Sequence, residues 1–255
     1  MIDSPYVTPC SALAVKLSQY LELEAEDHRH IAALEAGARS LPAGAELVKQ
    51  NAPYDSAAVI LDGWCLRYKL LPGGDRQVIN FLLPGTLIGL HGTLFETADH
   101  AVSALTPSRV AFFDTQKIAQ TFRERPRLAL AISWDHAREE ALIIERVASL
   151  GRRDAYARFA HLLVELALRL AWRMPHQDPV TLPITQAVIA DTLGLSLVHV
   201  SRTIQRLRDE GLIKNSHQRG IVLRDLEGLK AVCGYDETYL HRTRLPEKTR
   251  KVFEG

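Results

Sequence analysis

Residues 183–223 read PITQAVIADTLGLSLVHVSRTIQRLRDEGLIKNSHQRGIVL, and this stretch decides the fold. It parses as helix, tight turn, helix and hairpin. Thr185 can cap a helix whose inner side carries Ile189 and Leu193, Ala190 is small where two helices must approach, and Gly194 supplies the turn. Ser196 then caps a second helix. In it Val200, Ile204 and Leu207 recur at helical spacing and must face the core, which turns Leu197, Val198, Ser201, Arg202 and Gln205 outward. Gly211 stops that helix, and Leu212-Ile213 with Ile221-Val222-Leu223 read as two strands around Ser216–Gly220, a wing with Arg219 at its tip.

A helix start bearing short polar side chains and an arginine fits the DNA major groove, where an arginine fork can bond O6 and N7 of guanine. Arg202 is the candidate for that contact. Phosphates need donors rather than base complementarity, so Thr185, Gln186, Ser196 and His199 at the helix starts, and Arg219 on the wing, suit the flanking backbone.

Upstream the periodicity changes twice. Residues 1–35 read as helical, through Leu13, Leu17, Tyr20, Leu21, Leu23, Ile31 and Leu34. From Leu41 to Asp114 short apolar runs alternate with turn signals such as Pro72-Gly73-Gly74-Asp75 and Pro84-Gly85, the pattern of an all-β sandwich or barrel. Ala57–Leu61, Trp64–Leu71, Gln77–Leu83 and Arg109–Phe113 are its clearest strands. After Pro126, Leu130, Trp134, Ala137, Ala141, Ile144 and Ala148 form a heptad-like stripe with charged flanks. That stripe serves equally as a seam to a second copy or as a face packed on its own β domain. Asp154 can cap a further helix running to about Arg173, with the hinge at Gly151–Asp154, and Met174–Pro183 is a proline-rich loop or edge strand.

Composition narrows the function classes. The 255 residues are 47% hydrophobic and 24% charged, an ordinary globular balance that argues against disordered and collagen-like chains. No apolar run approaches the ~20 residues of a spanning helix, and no basic region followed by an apolar stretch opens the chain, so no membrane or secretory signal is expected and the default address is the cytoplasm. Cys10, Cys65 and Cys233 are too few and too scattered for a disulfide framework or a cysteine-held metal. The net charge of +1 hides a split: residues 151–255 carry 17 Lys and Arg against 12 Asp and Glu, and residues 1–150 carry 14 against 18. A basic C-terminal half fits a polyanionic partner.

The chain resembles the Crp/Fnr family of bacterial transcription regulators over nearly its whole length. The second half matches through Ile184-Thr185, Ile189-Ala190, Gly194-Leu195-Ser196, Val200-Ser201-Arg202 and Gly211-Leu212-Ile213; the first half through Leu41-Pro42-Ala43-Gly44, Leu61-Asp62-Gly63 and Phe81-Leu82-Leu83-Pro84-Gly85. The resemblance implies an α+β chain with a cyclic-nucleotide-binding-like β roll (jelly roll) and N-terminal helices over residues 1–125 and a dimerisation helix over 126–150. A winged helix-turn-helix over 151–235 and a C-terminal extension over 236–255 complete it. It implies a homodimer joined along the stripe, each copy placing one recognition helix in half of a palindromic operator on double-stranded DNA. RNA polymerase and an unidentified small-molecule effector complete the expected partners.

Departures from the family pattern bear on the effector. Where relatives have Gly-Glu, this chain has Gly89-Leu90, and where they have Arg-Ser-Ala it has Ala98-Asp99-His100, so a carboxylate replaces the arginine that holds a cyclic phosphate. Cyclic AMP is therefore not expected. A lone Cys10 does not make the N-terminal cluster of the iron–sulfur branch, and a lone His91 does not make a haem site. Gly89, Leu90, His91, Asp99 and His100 are the candidate effector-pocket residues. In the recognition helix, Val198 replaces a familiar glutamate, which points to a thymine methyl beside the guanine read by Arg202.

Two other classes compete. A winged helix can serve as a protein-interaction module, making the chain a ligand-binding or interaction adaptor that never touches DNA. An enzyme would need a catalytic constellation, and no Gly-rich phosphate loop, H-E-x-x-H or G-x-S-x-G is present; His28-x-His30 reads as a solvated helix face.

Overall fold

Strict alternation in the first half places successive side chains on opposite faces of a sheet, and both faces are covered. In the computed structural model, which describes residues 11–54, 56–171, 179–216, 220–240 and 245–254, two short helices, α1 (Ala12–Leu17) and α2 (Ala25–Glu35), precede eight strands. These are β1 (Ala38–Leu41), β2 (Glu46–Val48), β3 (Ser56–Asp62), β4 (Cys65–Leu70), β5 (Arg76–Leu82), β6 (Leu87–Ile88), β7 (Ala101–Ala104) and β8 (Ser108–Asp114). They form two four-stranded sheets, ordered β1-β8-β3-β6 and β2-β7-β4-β5. Within β3, Ala58 and Ile60 join the core that also holds Cys65, Leu82, Val102 and Val110, whereas Ala57 and Val59 face the helices with Leu13, Leu17, Leu128 and Ile132. Over residues 11–35 the helical reading resolves into two helices with a break from Ser18 to Glu24, and residues 1–10 lie outside the described residues.

After α3 (Gln116–Glu124), Pro126 opens α4 (Pro126–Arg152), a 27-residue helix that runs through Gly151 without interruption. Next come α5 (Ala155–Ala171), a short edge strand β9 (Thr181–Leu182), α6 (Gln186–Leu193), α7 (Leu197–Asp209), the hairpin β10 (Ile213–Ser216) and β11 (Gly220–Leu223), and α8 (Leu226–Cys233). The wing gains β9 as a third strand, in the order β10-β11-β9. A final helix, α9 (Glu247–Glu254), lies in what the sequence marks as an extension.

The chain divides into two compact units. The first takes Met1–Leu70, Phe81–Glu140 and Leu240–Gly255; the second takes Leu71–Asn80 and Ala141–Tyr239. These bounds differ from the expected ones at three places, the first being that residues 126–150, expected as one dimerisation helix, are divided after Glu140. The C-terminal residues count with the first unit because Leu245 is buried in its helical core and its N–H donates to the Tyr20 carbonyl at 3.2 Å. Residues 71–80 count with the second because Arg76 is paired with Asp191 of α6 at 2.6 Å and the Gln77 amide donates to the Thr192 carbonyl.

The stripe of α4 divides as well. Leu130 and Trp134 pack against the first unit's own core, whereas Ala137 and Ala148 are exposed and Ile144 is 64% exposed. Val147, which the sequence reading passed over, is 65% exposed beside them. The opposite face is buried through Leu142, Arg146 and Ser149.

Candidate DNA interface

Each half of the helix-turn-helix is set by a local cap. The Thr185 hydroxyl accepts from the Val188 N–H at 3.3 Å and starts α6; the Ser196 hydroxyl accepts from the His199 N–H at 3.2 Å and starts α7. Both hydroxyls keep their own O–H for another acceptor. Gly194 ends α6 at φ 63°, in the left-handed region that other residues enter at a cost. The two helices are bent by 108° relative to each other, within the range of DNA-reading helix pairs.

Arg158 of α5 locks this geometry. Its guanidinium donates to the carbonyl of Leu193 at the end of α6 and to those of Leu150 and Arg153 at the end of α4. One side chain therefore satisfies orphan carbonyls at two helix ends. Behind it, Glu165 is fully buried and is held by Arg146 at 3.0 Å and Arg169 at 3.3 Å, and Arg169 also donates to the Asn80 side chain. His161, packed against the rings of Tyr235 and Tyr239, is held down to a pKa of about 3 by burial and then by the positive charges of Arg153 and Arg146. Its Nε2 lies 3.3 Å from Glu145 without hydrogen-bond geometry, so that carboxylate does not offset the burial.

On α7, Val200, Ile204 and Leu207 are buried, as their spacing requires. Leu197 and Val198 are 55% and 61% exposed, and Ser201, Arg202 and Gln205 are exposed with them. Thr185 and Gln186 at the start of α6, and Ser196 and His199 at the start of α7, are also exposed. Arg202 has no ion pair among the described residues. Gln205 differs: its amide donates to Asp209 at 2.7 Å, so it must give up that bond before it reads a base. Arg219 lies outside the described residues.

Two residues that the sequence reading missed complete the face. Tyr156 of α5 and Arg206 of α7 line a shallow concavity of about 350 Å³ together with Ser196, Val198, His199 and Arg202. The Arg206 guanidinium stacks 3.7 Å over the Tyr156 ring and pairs with Glu210, which the Tyr156 hydroxyl also contacts. Burial and the neighbouring Glu210 push the Tyr156 hydroxyl up to about 12. Arg206 follows Arg202 by one turn on the same face, which was visible in the sequence; its partner Tyr156 was not.

The candidate effector residues differ in their surroundings. Gly89, at φ 99°, is a tight approach to β3, where an added Cβ would sit 2.7 Å from the Ala57 Cα. Asp99 is exposed and pairs with His100 at 2.7 Å, so its charge faces solvent rather than a ligand. His91 stacks edge-on to His136 at 5.1 Å and to His100 at 6.1 Å. His91 and His100 are both lowered in pKa, first by burial and then by Arg67. Of the five, Leu90 lines the cavity between the β roll and α4, and that cavity is about 20 Å³, the room of roughly one water. Among the described residues no group of three or more His, Cys, Asp or Glu is arranged to hold a metal.

Fold and site together define a winged helix-turn-helix regulator with a β-roll first half. The family model of the Crp-like helix-turn-helix domain matches residues 157–232, and that of the cyclic nucleotide-binding domain matches residues 38–125. The transcriptional activatory protein AadR of Rhodopseudomonas palustris is 33% identical over 193 residues, covering 75% of this chain and 79% of that one. The nitrogen fixation regulation protein FixK of Bradyrhizobium diazoefficiens is 35% identical over 176 residues, covering 68% and 72%. The solved structure of FixK2 from Bradyrhizobium japonicum superposes with a TM-score of 0.70 at 27% identity, covering 78% of this chain and 98% of that one. The chain belongs to the Crp/Fnr family of transcription regulators, whose activity is DNA binding rather than catalysis.

Proposed function

We propose that this protein binds a palindromic operator as a homodimer, reading bases through the outer face of α7. The observation that carries the proposal is that face itself: Arg202, with no ion pair among the described residues, beside exposed Ser201 and Val198, held by two capped helices at the angle the major groove admits. Arg202 takes a guanine and Val198 a thymine methyl; Ser196, His199, Thr185 and Gln186 take phosphates, with Gln205 and Leu197 at the edge of the contact. The exposed run Ala137, Ile144, Val147 and Ala148, with Ala141, is the seam on which the second copy lies, and Leu130 and Trp134 anchor the same helix to its own β roll.

Activity without cyclic AMP, haem or a cysteine-held cluster accords with the 20 Å³ cavity and with Cys65 and Cys233 lying buried in different units. Recruitment of RNA polymerase by the bound dimer, in the cytoplasm, is the step through which transcription responds; among the described residues no single helix is long and apolar enough to cross a membrane. Selection from random duplexes tests the reading. The expected product is a twofold-symmetric site whose half-sites lie about one helical turn apart, each with an invariant G, and whose affinity falls steeply with salt. A folded protein that retains no duplex overturns it.

A further inference from the structure

The inward face of α1 carries a charge where the hydrophobic pattern has no use for one. Lys16 is 4% exposed. Its Nζ lies 2.9 Å from Asp135 and 3.5 Å from Glu139, both buried on α4, and 3.5 Å from the Thr86 hydroxyl between β5 and β6. The Tyr20 hydroxyl also binds Asp135 at 3.1 Å and accepts from Arg138, which donates in turn to the Leu240 carbonyl at 2.6 Å. Leu13 and Leu17 of α1, on either side of Lys16, line the cleft between the β roll and α4 together with Thr86, Asp135 and Glu139, and the free room there is about 20 Å³.

Packing alone does not account for this. Burying a lysine against two carboxylates gains little over an apolar side chain of the same volume, because desolvation offsets the attraction. A six-residue helix cannot hold itself together in water, so α1 stays only while its apolar side chains and its ammonium are seated. The seat is built from two elements, Thr86 of the β roll and the i, i+4 carboxylates of α4. Those carboxylates lie on the face of α4 turned away from Ala137, so seating the ammonium fixes that face inward and leaves the exposed seam outward.

We infer that the cleft between the β roll and α4 is an ammonium-recognising site formed by Thr86, Asp135 and Glu139, and that Lys16 of the same chain occupies it as a tethered ligand that keeps α4 in its DNA-binding setting. This rests on the DNA-binding reading above. It makes α1 the regulated part: whatever withdraws it opens a site for a primary amine and releases α4.

Chemical rescue tests it. Lys16→Ala removes the atoms of n-propylammonium, which is the probe, with 1-propanol as its uncharged match. The variant is expected to unfold at lower temperature than wild type and to bind the selected operator more weakly by on the order of tenfold, the scale of an ordinary coupling between sites. Propylammonium restores both and propanol neither, while wild type responds to neither. Wild-type operator affinity in Lys16→Ala overturns the control role, and equal rescue by propanol overturns ammonium recognition. Should Lys16→Ala not fold, the neutral set Lys16→Met, Asp135→Asn, Glu139→Gln replaces it: tight operator binding by this set overturns the inference, and weak binding unaltered by propylammonium supports it. A wild-type protein that ignores every duplex strikes the DNA-binding reading instead, and the thermal rescue still reports on the cleft.

Discussion

Arg202→Ala is the sharpest test of the recognition face, because no ion pair among the described residues has to be broken to remove that arginine. Its neighbour one turn on, Arg206, is stacked on Tyr156 and paired with Glu210, so truncating Arg206 would take the guanidinium from the Tyr156 ring and from Glu210 and leave only their contact with each other. Arg202 has no ion pair among the described residues and lies on the exposed side of α7, so its removal leaves no orphaned group in the free state. The loss on binding is then that of one bidentate guanine contact, about 1–3 kcal/mol, or roughly a 5- to 150-fold rise in Kd. Fluorescence anisotropy on the selected operator and on the same duplex with the invariant G·C replaced by A·T separates the roles. Wild type should discriminate the pair by that factor and Arg202→Ala should not. Arg202→Lys keeps the charge and loses the fork, so it should fall near Ala for a base contact and near wild type for a phosphate contact. Equal losses for Arg202→Ala on both duplexes, with the salt slope reduced by about one, would refute base reading and move Arg202 to the backbone.

Three further outcomes follow from particular contacts. His161 has a folded-state pKa of about 3 against an unfolded value near 6.5, so the unfolded chain binds the extra proton between these values and stability falls as pH falls through that window. From pH 7 to pH 5 this group alone costs about 2 kcal/mol. Urea unfolding of wild type and His161→Gln at both pH values should show the variant losing that much less, and equal losses would remove the account. Ile144→Glu with Val147→Glu places charges on the exposed seam of α4 and should convert a dimer to a monomer in sedimentation velocity, with the far-ultraviolet spectrum unchanged; a dimer that survives puts the interface elsewhere. Raising ionic strength from 50 to 200 mM should weaken operator binding by on the order of 10³-fold if about six phosphates are contacted, measured on wild type by the same anisotropy assay.

The residues legible from the sequence are those whose structural consequence is local. Thr185, Gly194 and Ser196 each act within one turn of chain, and Val200, Ile204 and Leu207 announce a buried face by spacing alone, so the helix-turn-helix and its outward side were readable without coordinates. The β roll was legible in the same way, because Ala58 and Ile60 against Ala57 and Val59 follow the two-residue repeat of a sheet. What escaped depends on contacts between distant residues. Tyr20 and Asp135 are separated by 115 positions, and nothing local distinguishes Lys16 from a solvated lysine, so the filling of the cleft by α1 leaves no periodic trace. The same argument explains the stripe on α4. A heptad repeat fixes which residues share a face but not what covers that face, and here the cover changes along one helix from the β-roll core at Leu130 and Trp134 to open surface at Ile144. Asp99 shows the converse error. Its position in the family pattern pointed to a repelled phosphate, yet its carboxylate faces solvent, and the polar groups that meet in the cleft combine Thr86 of the β roll with Lys16 of α1 and Asp135 and Glu139 of α4, so a motif confined to the β roll misses most of them. Recognition chemistry on α7 is therefore written in short-range spacing, whereas control chemistry in this protein is written in pairings across the fold. A single-site substitution on α7 should alter affinity for one base pair, and one at Lys16 should alter affinity for every operator alike.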